Sequence, residues 1–199
     1  ATAAARTSFM RSLAVQGRVL HALMMREVIT RFGRHNIGVL WLLGEPMIFT
    51  LGVTALWSTA GLAHGSSMPI VAFAITGYSS VLMWRNTVGR CTNAVQQNMS
   101  LLYHRNVRVV DVVVTRVMLE IVGASGSFIV LTLFFMAIEW VNGPVDVLLI
   151  LGGWVLLAWF GLAAGLIMGS LSSFSPIAER LWHPLAYLLF PLSGAGFLV

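Results

Sequence analysis

Arginines in the middle of the chain are the side chains best suited to bind an anion. Arg85 and Arg90 lie at the end of an apolar segment, and Arg105 follows in the next polar stretch. A guanidinium group presents a planar fork of N–H donors that matches a phosphate or a carboxylate. Two interpretations remain open: these arginines anchor the protein to lipid headgroups, or they recognise an anionic, lipid-linked substrate that enters from the cytoplasm.

Aromatic side chains form a second candidate group. They crowd the two apolar segments that precede Arg90: Trp41, Phe49, Trp57, Phe73, Tyr78 and Trp84. Aromatic residues in membrane proteins usually serve as interfacial anchors or as packing. The alternative is a wall for sugar rings, because a flat aromatic face can contact the apolar CH face of a sugar without demanding one arrangement of hydroxyls.

Carboxylates inside apolar segments need a partner. Glu45, followed by Pro46, lies within the first such segment, where a charge costs roughly 2.5–3.5 kcal/mol on insertion scales. We therefore expect Glu45 either to pair with an arginine near the cytoplasmic end of its helix or to belong to a gate or a proton path. Glu120 lies near the start of a later apolar segment, and Arg116, one helical turn away, is its expected partner.

Motifs for catalysis and nucleotide binding are absent from the sequence. There is no GxxxxGK loop, no HExxH, no GxSxG and no pair of cysteines, and the chain has no lysine. A membrane enzyme that acts on lipid-linked sugars would need clustered carboxylates, histidines or a metal site, whereas the seven acids of this chain are scattered along the sequence. We predict no catalytic residue and no metal site, and ATP, if it is used, must be bound by another chain.

The composition of the chain indicates that membrane-spanning helices carry these candidate residues. Hydrophobic residues make up 58% of the chain, charged residues only 10%, and the mean hydropathy is +0.86, whereas a soluble domain has about 25% charged residues. We therefore expect an all-α integral membrane protein with a single transmembrane domain over residues 1–199. The amphipathic segment 8–33 predicts an interface helix. Apolar segments long enough to cross a bilayer predict five spans, at about 39–60, 69–89, 117–138, 147–171 and 181–199.

Small residues on the fourth predicted span recur every four positions. Gly161, Gly165 and Gly169 form a GxxxGxxxG pattern, which lets two helices approach closely. The partner is either another helix of the same chain or a second copy of the protein.

All twelve arginines fall on one side of this alternating topology. The loops 61–68 and 139–146 contain none, whereas arginines occur in the N-terminal helix and in the polar loop 91–110. The positive-inside rule makes the arginine-rich side cytoplasmic, so the N-terminus is expected in the cytoplasm. Because topology accounts for the positive charge, we expect no nucleic-acid partner.

Three stretches of sequence resemble a known family. They are RFGRHNIGVLWLLGEP at 31–46, TGYSSVLMWR at 76–85 and NMSLLYHRNVRVVDVVVTRVMLE at 98–120. The first is similar to the junction between interface helix and first span in the permease subunits of type-2 ABC exporters. The others resemble the KpsM-like capsular-polysaccharide export permeases of Gram-negative bacteria, and the similarity extends over nearly the whole chain.

The resemblance implies a permease in the bacterial inner membrane with six spans, five of which are visible here. It implies that two copies of the permease enclose a channel for a lipid-linked polysaccharide and pair with an ABC ATPase subunit, which would bind ATP and Mg²⁺. A periplasmic co-polymerase and an outer-membrane exporter would continue the path. Export of O-antigen or of teichoic-acid polymers is the alternative within the same class.

Residue roles also follow from the resemblance, as expectations. The substrate channel would be lined by Trp41, Tyr78 and Trp84, and the anionic end of the substrate would be bound by Arg34, Arg85 and Arg90. The ATPase would dock on a coupling element at about 93–103, through Asn93, Gln96, Gln97, Met99, Leu102 and Tyr103.

Overall fold

The computed structural model describes residues 9–33, 37–59, 69–103 and 107–193, and these residues form helices without any strand. Helix α1 spans Phe9–Phe32. It ends at Gly33, whose φ of 85° lies in the left-handed region and whose N–H donates to the Ile29 carbonyl at 2.9 Å. Glycine adopts this conformation without steric cost and closes the helix there.

Helix α2 spans Ile37–Thr59 and contains Pro46. The second apolar segment forms α3, Ile70–Phe73, then a π-helical turn, Ala74–Tyr78, and then α4, Ser79–Thr92, without a break between them. A π-helical turn inserts an extra residue into the helix and is frequent at functional sites. The polar loop contains two single-turn helices, α5, Ala94–Gln97, and α6, Met99–Leu102, with Asn98 between them.

Three further helices complete the described part of the chain. Helix α7 spans Val109–Ala137 and begins eight residues before the predicted third span, because the Asp111 carboxylate accepts the Arg108 N–H at 2.9 Å. Helix α8 spans Val147–Phe174 and is capped by the Asp146 carboxylate, which accepts the Leu149 N–H at 3.0 Å. Helix α9 spans Pro176–Leu192, five residues before the predicted start of the fifth span, and the Ser175 hydroxyl caps it. Side-chain caps of this kind fix where a helix begins.

Three of the described helices are long and apolar enough to cross a membrane: Leu40–Thr59, Val109–Ala137 and Val147–Phe174. They coincide with the first, third and fourth predicted spans. The second and fifth spans remain predictions, because the run from Ile70 to Thr92 is divided by the π-helical turn and α9 has 17 residues.

Helix α4 packs against both α7 and α8, which also contact each other. Gly161, Gly165 and Gly169 face α4, and a Cβ atom at Gly165 would lie 2.9 Å from the Cys91 sulfur. A Cβ at Gly169 would lie 3.1 Å from the Cys91 carbonyl oxygen. The glycine pattern is therefore used for packing within the chain, where it brings α8 against α4.

Candidate functional site: a polar cavity lined by arginines

A cavity of about 530 Å³ opens between α1, α4, α9 and the loop that carries α5. Three helices each contribute four residues at positions i, i+1, i+4 and i+5, a spacing that places them on one helical face. Helix α1 provides Arg26, Glu27, Thr30 and Arg31; α4 provides Arg85, Asn86, Gly89 and Arg90; α9 provides Trp182, His183, Ala186 and Tyr187. The remaining lining residues are Asn93, Gln97, Asn98 and Arg116.

Two arginines of the cavity share two carboxylates. Arg31 contacts Glu45 at 3.3 Å and also Glu120, while Arg90 contacts Glu45 at 3.1 Å and Glu120 at 3.5 Å. The Glu120 side chain is only 9% exposed, so its charge requires these partners. This arrangement confirms that Glu45 pairs with arginine, and it joins α1, α2, α4 and α7. The scattered acids of the sequence thus include two that the fold brings together.

Arg116 does not pair with Glu120 as its position one turn away predicted. Its side chain, 6% exposed, instead contacts Glu27 of α1 at 3.3 Å and donates to the Gln97 amide oxygen at 2.7 Å. It also donates to the Arg90 carbonyl at 2.7 Å. The local prediction was wrong because Arg31 and Arg90 occupy the Glu120 carboxylate, which leaves Arg116 to connect α1 with the loop.

Arg26 and Arg85 differ from the other three cavity arginines. Arg26 donates to the Asn98 amide oxygen at 2.6 Å, and the Arg85 guanidinium lies 5.9 Å from the centroid of the Tyr187 ring. Neither contacts a carboxylate anywhere in the described residues. The contacts of these two arginines are therefore with neutral groups.

The predicted channel aromatics lie in different environments. Trp41 is exposed on α2, whereas Tyr78 is buried and meets Phe190 edge to face at 6.1 Å. Trp84 packs edge to face on Trp182 at 6.2 Å, beside the cavity. Their role in a channel stays a prediction. Arg34, predicted to bind the anionic end of the substrate, lies outside the described residues.

The predicted coupling residues divide into two sets. Asn93 and Gln97 line the cavity, and Leu102 packs against the buried cluster around Cys91 and Val112. The outward set comprises Gln96, Met99 and Tyr103, with Met99 55% and Tyr103 88% exposed.

The face of α9 that lines the cavity was missed by the sequence analysis. The signal was available: Trp182, His183 and Tyr187 recur at helical spacing within a segment that is otherwise mostly apolar. Pro184 and Pro191 obscure it, because a proline inside a helix usually kinks or interrupts it, whereas α9 continues through both prolines to Leu192.

Three helices that are long and apolar enough to cross a membrane, in a described structure without strands, define an all-α integral membrane protein. No family model matches the chain. Two curated relatives match 98% of it: the capsule polysaccharide export inner-membrane protein BexB of Haemophilus influenzae at 43% identity, and CtrC, of the same description, from Neisseria meningitidis at 45% identity. In each case the match covers 73% of the relative. The polysialic acid transport protein KpsM of Escherichia coli is 26% identical over 89% of the chain and 72% of the relative.

The chain belongs to the family of capsule polysaccharide export inner-membrane proteins. This confirms the resemblance inferred from the three sequence stretches and places the protein in the bacterial inner membrane. The family consists of membrane components of transport systems. The polar cavity therefore belongs to a transport protein.

Proposed function

We propose that the chain is the channel-forming permease subunit of an ATP-driven exporter that moves lipid-linked capsular polysaccharide across the inner membrane. The observation that carries this proposal is the likeness, over 98% of the chain, to two proteins described as capsule polysaccharide export inner-membrane proteins. The cavity supports it, because a polar, cationic space inside a helical membrane protein suits an anionic substrate.

ATP hydrolysis belongs to a separate ATPase subunit in this proposal, because the sequence has no nucleotide-binding loop of its own. ATP and Mg²⁺ would be bound there and not by this chain. The outward set, Gln96, Met99 and Tyr103, offers the docking surface, since exposed Tyr and Met side chains are enriched at protein interfaces.

Further partners complete the exporter. A second copy of the chain would close the channel, and a periplasmic co-polymerase with an outer-membrane exporter would carry the polymer onward. The N-terminus and the loop with α5 and α6 would face the cytoplasm, where all twelve arginines are then retained.

Deletion of the gene in its encapsulated host tests the function. We expect polysaccharide to disappear from the cell surface and to accumulate inside the cell, and expression of the wild-type chain should restore export. Immunofluorescence on intact and permeabilised cells distinguishes the two pools. Absence of polymer from both pools would indicate an enzyme of synthesis, and unchanged surface polymer would contradict a role in export.

A further inference from the structure

We propose that the π-helical turn at Ala74–Tyr78 is a register switch, which converts to an α-helix during transport and thereby turns α3 relative to α4. This inference rests on the proposed function, because it gives the turn a part in the transport cycle. A π-helical turn carries one residue more than an α-helical turn. Its conversion therefore rotates one side of the helix by about 100° and shifts it by about 1.5 Å relative to the other side.

The π-helical turn joins two parts of one helix that pack against different neighbours. On one side, Val71 of α3 and Ile75 of the turn lie in a buried cluster with Leu131 of α7, and α2 also contacts this side. On the other side, Val88 of α4 lies in a cluster with Trp182 of α9, and the glycines of α8 pack against α4. Because the neighbours differ, α3 can turn while α4 keeps its contacts with α8 and α9.

Side-chain hydroxyls bond the backbone carbonyls of this region. The Thr76 hydroxyl donates to the Ala72 carbonyl at 2.8 Å and to the Phe73 carbonyl at 3.3 Å. The Ser80 hydroxyl donates to the Thr76 carbonyl at 2.7 Å. Such bonds supply donors to carbonyls where the backbone of a membrane helix departs from α-helical geometry. They therefore lower the cost of exchanging backbone partners at the turn.

The Ser79 hydroxyl, directly after the turn, favours a second register. Ser79 is 3% exposed, and its hydroxyl has no hydrogen-bond partner among the residues that the structure describes, which costs free energy. In an α-helix a hydroxyl of this kind reaches the carbonyl one turn back, as the Thr87 hydroxyl does with the Met83 carbonyl at 2.6 Å. Conversion of the turn would give Ser79 the same geometry with Ile75.

Removal of one residue from the turn tests the switch. Deletion of Thr76, which is exposed, lets the run from Ile70 to Thr92 form a continuous α-helix in its present packing and removes the second register. We expect this variant to fold and melt like the wild type, while export of polysaccharide falls about tenfold or more. Thr76→Ala is the matched control, because it loses the same side chain but keeps the residue count, and it should export normally. Surface polymer and thermal unfolding are the measurements.

A reversible cross-link gives a measurement that does not depend on the deletion variant. The rings of Trp57 on α2 and Phe73 on α3 lie 5.8 Å apart between centroids. Cysteines at both positions, in a Cys91→Ala background, should be joined by a short, reducible bis-methanethiosulfonate reagent. We expect the cross-link to hold α3 against α2 and to lower export about tenfold, and dithiothreitol should restore it. The same variant before cross-linking is the reference.

A second cysteine pair is the control for cross-linking itself. The indole N–H of Trp154 on α8 donates to the Ser125 hydroxyl of α7 at 2.7 Å, so cysteines at these two positions should also be joined. The contact between α7 and α8 lies outside the turn. This cross-link should therefore leave export unchanged.

Three results would overturn the switch: normal export by a folded Thr76-deletion variant, equal loss of export in the deletion variant and in Thr76→Ala, or normal export with α3 cross-linked to α2. If the deletion variant does not fold, the cross-link decides. Deletion of the gene separates the two proposals. If it abolishes export while the deletion variant and the cross-linked protein export normally, the switch is wrong and the proposed function stands. If it leaves export intact, the proposed function fails, and the switch in transport fails with it.

Discussion

At the scale of single residues, three of the arginines that line the cavity form ion pairs with carboxylates. Arg31 and Arg90 hold the same two carboxylates, and Arg116 ties Glu27 to the loop. Removing one of these groups leaves a charge without its partner, and the cost is greatest where the remaining partner is buried, as for Glu120 at 9% and Arg116 at 6% side-chain exposure.

Glu120→Gln should therefore destabilise the protein. The change leaves Arg31 and Arg90 with Glu45 as their shared carboxylate, and the loss of a buried partner costs about 3 kcal/mol. Thermal unfolding of the purified protein in detergent, followed by tryptophan fluorescence, measures the effect. Glu139→Gln, which changes an exposed carboxylate in the loop after α7, is the control and should melt like the wild type. Equal melting temperatures for both variants would show that the ion pairs do not stabilise the fold.

Only part of this network of ion pairs could be predicted from the sequence. The need of Glu45 for an arginine followed from its position within an apolar segment, and Arg85 and Arg90 were identified as candidates for an anion site. The actual partners could not be derived, because Glu45 and Glu120 are separated by 75 positions in sequence and are joined only when α2 and α7 pack around the same arginines. Spacing along one helix predicted Arg116 for Glu120 and was overridden by this tertiary contact.

At the scale of elements, hydropathy located the helices and did not locate their ends. The apolar part of α7 begins near residue 117, but the helix begins at Val109, where the Asp111 carboxylate caps it. The π-helical turn at Ala74–Tyr78 has no signature in the apolar pattern. The loop predicted to be the coupling element forms two single turns, and its role in coupling stays a prediction.

The outward set, Gln96, Met99 and Tyr103, gives a prediction for docking of the proposed ATPase subunit. Tyr103→Ala and Met99→Ala should each weaken its binding by about 2 kcal/mol, the scale of an interface hot spot, because both side chains are exposed and form no part of the fold's core. Affinity of the purified ATPase for the chain is the measurement. Trp140→Ala, an exposed aromatic residue in the loop after α7, is the control. Unchanged affinity in both loop variants would place the docking surface elsewhere.

At the scale of the whole molecule, the distribution of arginines predicts how the chain is oriented in the membrane. The cavity and the loop with α5 and α6 are at the arginine-rich end, and the loop at 139–146 is at the other. Positive charge is retained on the cytoplasmic side during insertion, so the two ends should face different compartments.

Labelling of introduced cysteines checks this orientation. In a Cys91→Ala background, Asn142→Cys should react with a membrane-impermeant maleimide on intact spheroplasts, because the positive-inside rule predicts that its loop faces the periplasm. Ser100→Cys, on the exposed side of α6, should react only after the membrane is permeabilised. Labelling of both positions from the same side would contradict the topology. The Cys91→Ala protein alone is the control and should remain unlabelled.

The paired carboxylates also have a consequence for how the protein is made. A chain is synthesised from its N-terminus, so α1 emerges before α2, and α4 before α7. Arg31 is therefore already present when Glu45 enters the bilayer, and Arg31 and Arg90 are both present when Glu120 follows. Each acid therefore enters the membrane after at least one of its arginine partners has been synthesised. Neither Glu45 nor Glu120 depends on a later segment for its first counter-ion.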